Sequence, residues 1–131
     1  MTKIKIGGRV IPLLFNLDAF FEMNECGLGL ASVRELFNRE AQKERYLDVV
    51  KATITLIRIL GNQGLEMDGG ERDLTDQWLR KRLRPGQLIN LIVAIASEVD
   101  IGMSMETNER KEGEERDLVL EEINQKKTSE S

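Results

Sequence analysis

Residues 42–62 read QKERYLDVVKATITLIRILGN, and this stretch decides the fold. Leu47, Val50, Ile54, Ile57 and Leu60–Gly61 recur at steps of three and four, the spacing of one helical face. Val49, Leu56 and Ile59 widen that stripe beyond a two-sided seam, so a helix from about Gln42 to Asn62 belongs at the centre of a core. Gly61 and Gly64 are expected to end or loosen it. A second apolar helix is expected from Leu88 to about Met103, with Ile89, Ile92, Val93, Ala96 and Val99 on neighbouring positions. Pro85-Gly86 stands just ahead of it, where proline suits a first helical turn.

Toward the N-terminus, Lys3-Ile4-Lys5-Ile6 alternates with period two and is followed by Gly7-Gly8 and Arg9-Val10-Ile11-Pro12-Leu13-Leu14-Phe15. Two short runs around Gly-Gly predict a β-hairpin, because a two-residue primed turn needs the positive φ that glycine supplies. Pro12 has no N–H to give a ladder, so its strand is expected to be an edge there or to end near it. A lone hairpin is marginal in water and must pack on helices. Asn16 is a suitable N-cap, Asp18 favours the first turn, and Phe20, Phe21 and Met23 supply an apolar face before Gly27 stops the helix. Ser32-Val-Arg-Glu35 has capping-box form and is expected to start a shorter helix ahead of Leu36 and Phe37.

Between the two long helices, residues 66–73 (EMDGGERD) form a polar loop, and Thr75 is placed to cap a helix carrying Trp78, Leu79 and Leu83. After Met105 the composition changes: residues 106–131 hold nine acids and five bases, with apolar content reduced to Leu118, Val119, Leu120 and Ile123. The fold class is therefore α+β, mainly helical, with an N-terminal β-hairpin packed on about four to five helices and a charged C-terminal tail. Residues 1–105 are expected to form a single globular domain and 106–131 a charged, flexible tail.

The 131-residue chain, 40% apolar and 32% charged, suits one self-sufficient core. Its lone thiol, Cys26, cannot form an internal bridge and fits a reducing cytoplasm. The opening MTKIKIGGRV never builds the apolar region of a secretory signal, and the most apolar run, residues 88–96 (LINLIVAIA), is about half a membrane span. A net charge of −4 repels phosphate backbones, so neither nucleic acid nor membrane is an expected partner. Histidine is absent, which removes the commonest general base and transition-metal ligand and shifts the expectation away from enzymes.

Candidate sites are few. The carboxylates Glu66, Asp68, Glu71, Asp73 and Asp76 miss the calcium-loop pattern, since position five is Gly70 and position six Glu71; loop solvation and helix-start electrostatics account for them. Gly7-Gly8, Gly27-x-Gly29 and Gly69-Gly70 match no phosphate-cradling spacing. No catalytic, cofactor or metal residue emerges. Trp78 is either core or, if exposed, a binding anchor. Beside it Arg80, Lys81, Arg82 and Arg84 make a basic stripe. That stripe either complements the helix dipole or docks an acidic segment, including this chain's own tail or that of a neighbouring copy. Residues 118–123 (LVLEEI) form an apolar island in the solvated tail, which either folds on a partner or frays without one. Trp78, Arg80, Arg84, Leu118, Leu120 and Ile123 are therefore the candidate partner-binding residues.

Taken in order, the features form a series: IKIGGRVIPL at the start, a long apolar helix ending near Gly61-Asn62-Gln63-Gly64, then Leu74-Thr75-x-x-Trp78-Leu79 and Leu83-x-Pro85-Gly86. An Ile/Ala-rich helix, Gly102-Met103-x-Met105-Glu106 and a charged tail complete it. This series resembles the tail assembly chaperones of long-tailed phages and prophages of low-GC Gram-positive bacteria, over nearly the whole chain to about Glu106. The resemblance implies a non-catalytic role in the cytoplasm of the bacterial host, absent from the mature virion. Such proteins coat the tape measure protein, keep it soluble and help recruit the major tail (tube) protein, with self-association among their own copies. Many have a longer frameshifted form, for which Gln125-Lys126-Lys127 would mark the region. The alternative is a small regulatory adapter or inhibitor of a mobile element that binds one folded partner.

Overall fold

In the computed structural model residues 1–104 are described, so the tail expected at 106–131 lies outside the described residues. The chain opens with β1 (Thr2–Ile6) and β2 (Arg9–Leu13), paired antiparallel from Thr2↔Leu13 to Ile6↔Arg9. Gly7 and Gly8 close the hairpin at φ +57° and +81°, the left-handed pair that a primed turn requires. Pro12 pairs with Lys3 in a two-stranded sheet, where each strand is an edge and a missing N–H interrupts no larger ladder.

Six α-helices come next among the described residues: α1 (Leu17–Glu25), α2 (Leu30–Glu35), α3 (Arg39–Glu44), α4 (Tyr46–Met67), α5 (Asp76–Arg82) and α6 (Leu88–Gly102). A single 3-10 turn, Pro85–Gln87, leads into α6. The fold is mainly helical α+β, with the hairpin packed against the helices as the pattern requires. The Asn16 side chain accepts from the Ala19 amide at 2.8 Å and starts α1, and Gly27 stands just past that helix at φ +76°.

Three local expectations are corrected. Ser32 does not start α2, which begins at Leu30 behind Gly29 with no side-chain cap; Val33 is buried and Leu30 packs against the core, so apolar packing sets the helix start. The start of the long helix is a separate element: Asn38 caps α3 through bonds from the Glu40 and Ala41 amides, and α4 begins only at Tyr46, after Arg45 leaves helical geometry. This adds the sixth helix. Finally, α4 runs through Gly61 and Gly64 to Met67. The two glycines are contact points: a Cβ on Gly64 would strike the Pro12 carbonyl, and one on Gly61 the Leu74 side chain. The missing side chains let β2 approach until the Leu14 amide donates to the Leu60 carbonyl at 3.0 Å.

α4 is the hub, packed against β2, α1, α3, α5 and α6, while β1 lies on α6. Ile11, Leu13, Met23, Leu56, Leu60 and Ile95 are fully buried around it. Leu47 and Ile89, expected on the core faces, are 63% and 64% exposed. Both sit in the first turn of their helices, where no other described element covers them. Inside the core, Glu98 is 2% exposed and accepts the Thr2 amide on Oε1 at 2.9 Å and the Phe15 amide on Oε2 at 3.1 Å. One carboxylate thereby fastens both ends of the hairpin to α6. Asn62 does the same for the loop before α5: its side chain accepts the Leu74 amide at 3.0 Å and donates to the Leu74 carbonyl at 3.2 Å. Among the described residues no helix is long and apolar enough to cross a membrane.

Candidate functional site

The Thr75 hydroxyl accepts the Trp78 amide at 3.1 Å and fixes the start of α5. Pro85 keeps the helix short. A residue before proline is disfavoured in helical geometry, and Arg84, ahead of Pro85, sits at φ −116°, ψ +150°. The Arg84 amide donates to the Gln87 side chain at 2.8 Å, which holds the turn closed. Leu83 and Leu88 are thereby brought to the two sides of the turn. With Val50 and Ile54 of α4 they floor a groove of about 280 Å³. Arg80, Arg84 and Pro85 complete its walls. Leu47 lies on the same face of α4 as Val50 and Ile54 and continues the apolar stripe into solvent.

Arg9, Arg45, Arg58 and Arg72 each have a carboxylate within 4.0 Å. Among the described residues Arg80 and Arg84 have none, and both are exposed. Each guanidinium offers five N–H donors in a fixed fork, suited to a carboxylate. An apolar floor with two uncompensated arginines on its edge can desolvate apolar side chains while gripping acids beside them.

The structure brings Arg80 and Arg84 together on this groove and puts Trp78 to other use. Trp78 is half-buried, with Arg82 over its ring at 4.4 Å and Arg9 at 5.5 Å to the centroid. Arg9 is in turn held by Asp73 at 2.6 Å, and Arg82 packs beside Gly7 in the hairpin turn. Trp78 is thus a strut between α5 and the hairpin. Leu118, Leu120 and Ile123 lie outside the described residues.

Most of the loop acids that invite a metal reading serve as arginine partners. Glu66 pairs with Arg72, Asp73 with Arg9 and Asp76 with Arg58. Among the described residues no group of three or more metal-ligating side chains is placed to hold an ion. The hydrogen bond from Arg9 holds the Asp73 carboxyl below its ordinary range. Glu22, bonded to Arg72 at 2.7 Å, raises that guanidinium, with Glu66 adding to it. Partial burial alone would lower Arg58, but Asp76 and Cys26 beside it overcome that and raise it. Cys26 itself is exposed.

Sequence reasoning reaches the arginine rim and misses the groove beneath it. The available signal is the Leu47–Val50–Ile54 stripe together with Leu83 and Leu88 on either side of Pro85-Gly86. It misses Glu98 as well, which stands between Ser97 and Asp100 in α6 and so looks like one more solvated acid. A second cleft, of about 410 Å³, lies between α2 and α6 and is lined by Leu30, Val33 and Val99 with both Arg34 and Asp100. Comparison of the chain with protein-family models, with curated proteins and with solved structures finds no match to any of them.

Proposed function

We propose that this chain is a tail assembly chaperone, a non-catalytic protein that binds the tape measure protein, keeps it soluble and helps recruit tail tube subunits. The observation that carries the reading is the groove of Val50, Ile54, Leu83 and Leu88 with Arg80 and Arg84 on its rim. An amphipathic helix with acids flanking its apolar stripe is the ligand such a surface fits, in the helix-in-groove mode. A tape measure protein exposes long apolar stripes before the tube encloses it, and those stripes aggregate unless covered. One small groove per chaperone gives a weak contact. Many copies along one client give avidity while leaving each contact free to be displaced by a tube subunit.

The test is co-expression with the long helical protein encoded beside this gene, scored by client solubility and co-purification. The wild-type chain should bring the client into the soluble fraction, with several copies eluting per client. R80E/R84E, both changes on exposed side chains and so leaving thermal stability intact, should leave most of the client in the pellet. Equal performance by R80E/R84E would remove the groove from the account. A client that stays insoluble with the wild-type chain, together with a fixed one-to-one complex with some folded protein, would favour the adapter reading.

A further inference from the structure

We propose that residues 118–123 (LVLEEI) of this same chain occupy the Arg80–Arg84 groove in the free protein, so that a client has to displace them. The inference adds regulation to the groove assigned above and rests on that reading for its consequence, while its test needs no client.

Charge makes the first argument. With nine of the 23 acids and five of the 19 bases, residues 106–131 carry the entire net charge of −4, and residues 1–105 are balanced. The acids crowd around the apolar island: residues 112–122 hold six acids and one base. On the domain, Arg80 and Arg84 are the rim cations that no carboxylate satisfies among the described residues. The island supplies Leu118, Leu120 and Ile123 for an apolar floor and Glu121 and Glu122 for two guanidinium forks.

Reach is the second. The groove touches Leu88 at the start of α6, and the chain leaves the far end of that helix at Gly102. Those ends are about 21 Å apart at the helical rise per residue. Leu118 lies fourteen residues beyond Ser104, enough chain to span about 46 Å when extended. A tether of that kind sets an effective concentration on the order of millimolar, which favours a chain's own segment over that of a second copy. The cleft between α2 and α6 lies nearer the exit at Met103, but its walls carry Asp100 as well as Arg34 and do not select an acidic segment.

The test is methyl NMR on the full chain, comparing wild type with L118S/L120S/I123S. The methyls of Val50, Ile54, Leu83 and Leu88 should shift, those of Leu30, Val33 and Val99 should not, and the difference should hold across a tenfold range of protein concentration. In R80E/R84E the methyls of Leu118, Leu120 and Ile123 should move to random-coil positions. Unmoved groove methyls would overturn the proposal, as would shifts confined to the α2–α6 cleft. A difference that grows with concentration would put a second copy in the groove and overturn the intramolecular form. None of these results bears on whether a tape measure protein is the client, so the two readings fail separately.

Discussion

Replacing Glu98 by glutamine keeps the size of the side chain and one carbonyl acceptor, but turns an amide NH₂ toward one of the two backbone N–H groups that the carboxylate now receives. The Thr2 and Phe15 amides bond to separate oxygens at 2.9 and 3.1 Å, and Glu98 is 2% exposed, so water cannot take over the lost bond. A hydrogen bond to a charged group contributes about 1.5–3 kcal/mol, and orphaning a buried donor costs a similar amount, so Glu98→Gln should destabilise by about 2–3 kcal/mol. For a domain near 100 residues this lowers Tm by roughly 10–20 °C. Far-UV circular dichroism of the full chain reads that number. Hydrogen exchange at Thr2 or Phe15, whichever amide loses its acceptor, should accelerate beyond the global change. Glu98→Leu fills the space but orphans both amides, so it should melt below Glu98→Gln. The competing effect is the cost of burying a carboxylate at all, which in some proteins makes an apolar replacement stabilising. A leucine variant as stable as the glutamine one, or a glutamine variant within roughly 2 °C of wild type, would show that this cost outweighs the two bonds and that the hairpin is held by packing alone.

Gly64→Ala gains about 1 kcal/mol of helix propensity, yet its Cβ meets the Pro12 carbonyl; a net loss of about 1–3 kcal/mol is expected by urea denaturation, as for other overpacked contacts. Gly86→Ala is the control: its Cβ meets nothing within 4 Å, and stability should rise slightly or stay level. Asn62→Ala removes both bonds to Leu74 and should cost about 2–3 kcal/mol, with faster exchange at the Leu74 amide as the local readout. Asp73 gives a pH dependence. Its folded carboxyl lies below the ordinary value of 3.8 because Arg9 bonds to it. The unfolded state therefore takes up the proton first, and the stabilisation is full above that ordinary value and lost as pH falls through the folded one. The stability gap between wild type and Asp73→Asn should be constant near neutrality and close below about pH 4, and a gap that persisted into strong acid would place its origin elsewhere than in the ion pair.

How much of the fold is legible in the sequence depends on how local each cause is. The hairpin turn, the Asn16 and Thr75 caps and the Pro85 break each depend on one or two residues and their neighbours, and each is readable at its position. Gly61 and Gly64 mislead for the opposite reason. Within α4 they look like weak points, and only Pro12 and Leu74 reveal them as clearances, Gly64 for the crossing Pro12 backbone and Gly61 for the Leu74 side chain. The same holds for the candidate site. Arg80 and Arg84 stand out as charges in a row, but a row of charges does not state whether acids elsewhere have claimed them. Arg82 belongs to the same row and is taken by Trp78, while Arg80 and Arg84 remain unpaired among the described residues. The distinction arises where the chain leaves the helix. Arg82 is the last residue of α5 and lies over the Trp78 ring, while Arg84 follows in extended geometry ahead of Pro85, which brings it to the groove beside Arg80. The stripe that looks uniform in sequence is therefore two devices. One arginine braces the fold, and its two neighbours line the groove on which both the client and the tail proposals depend.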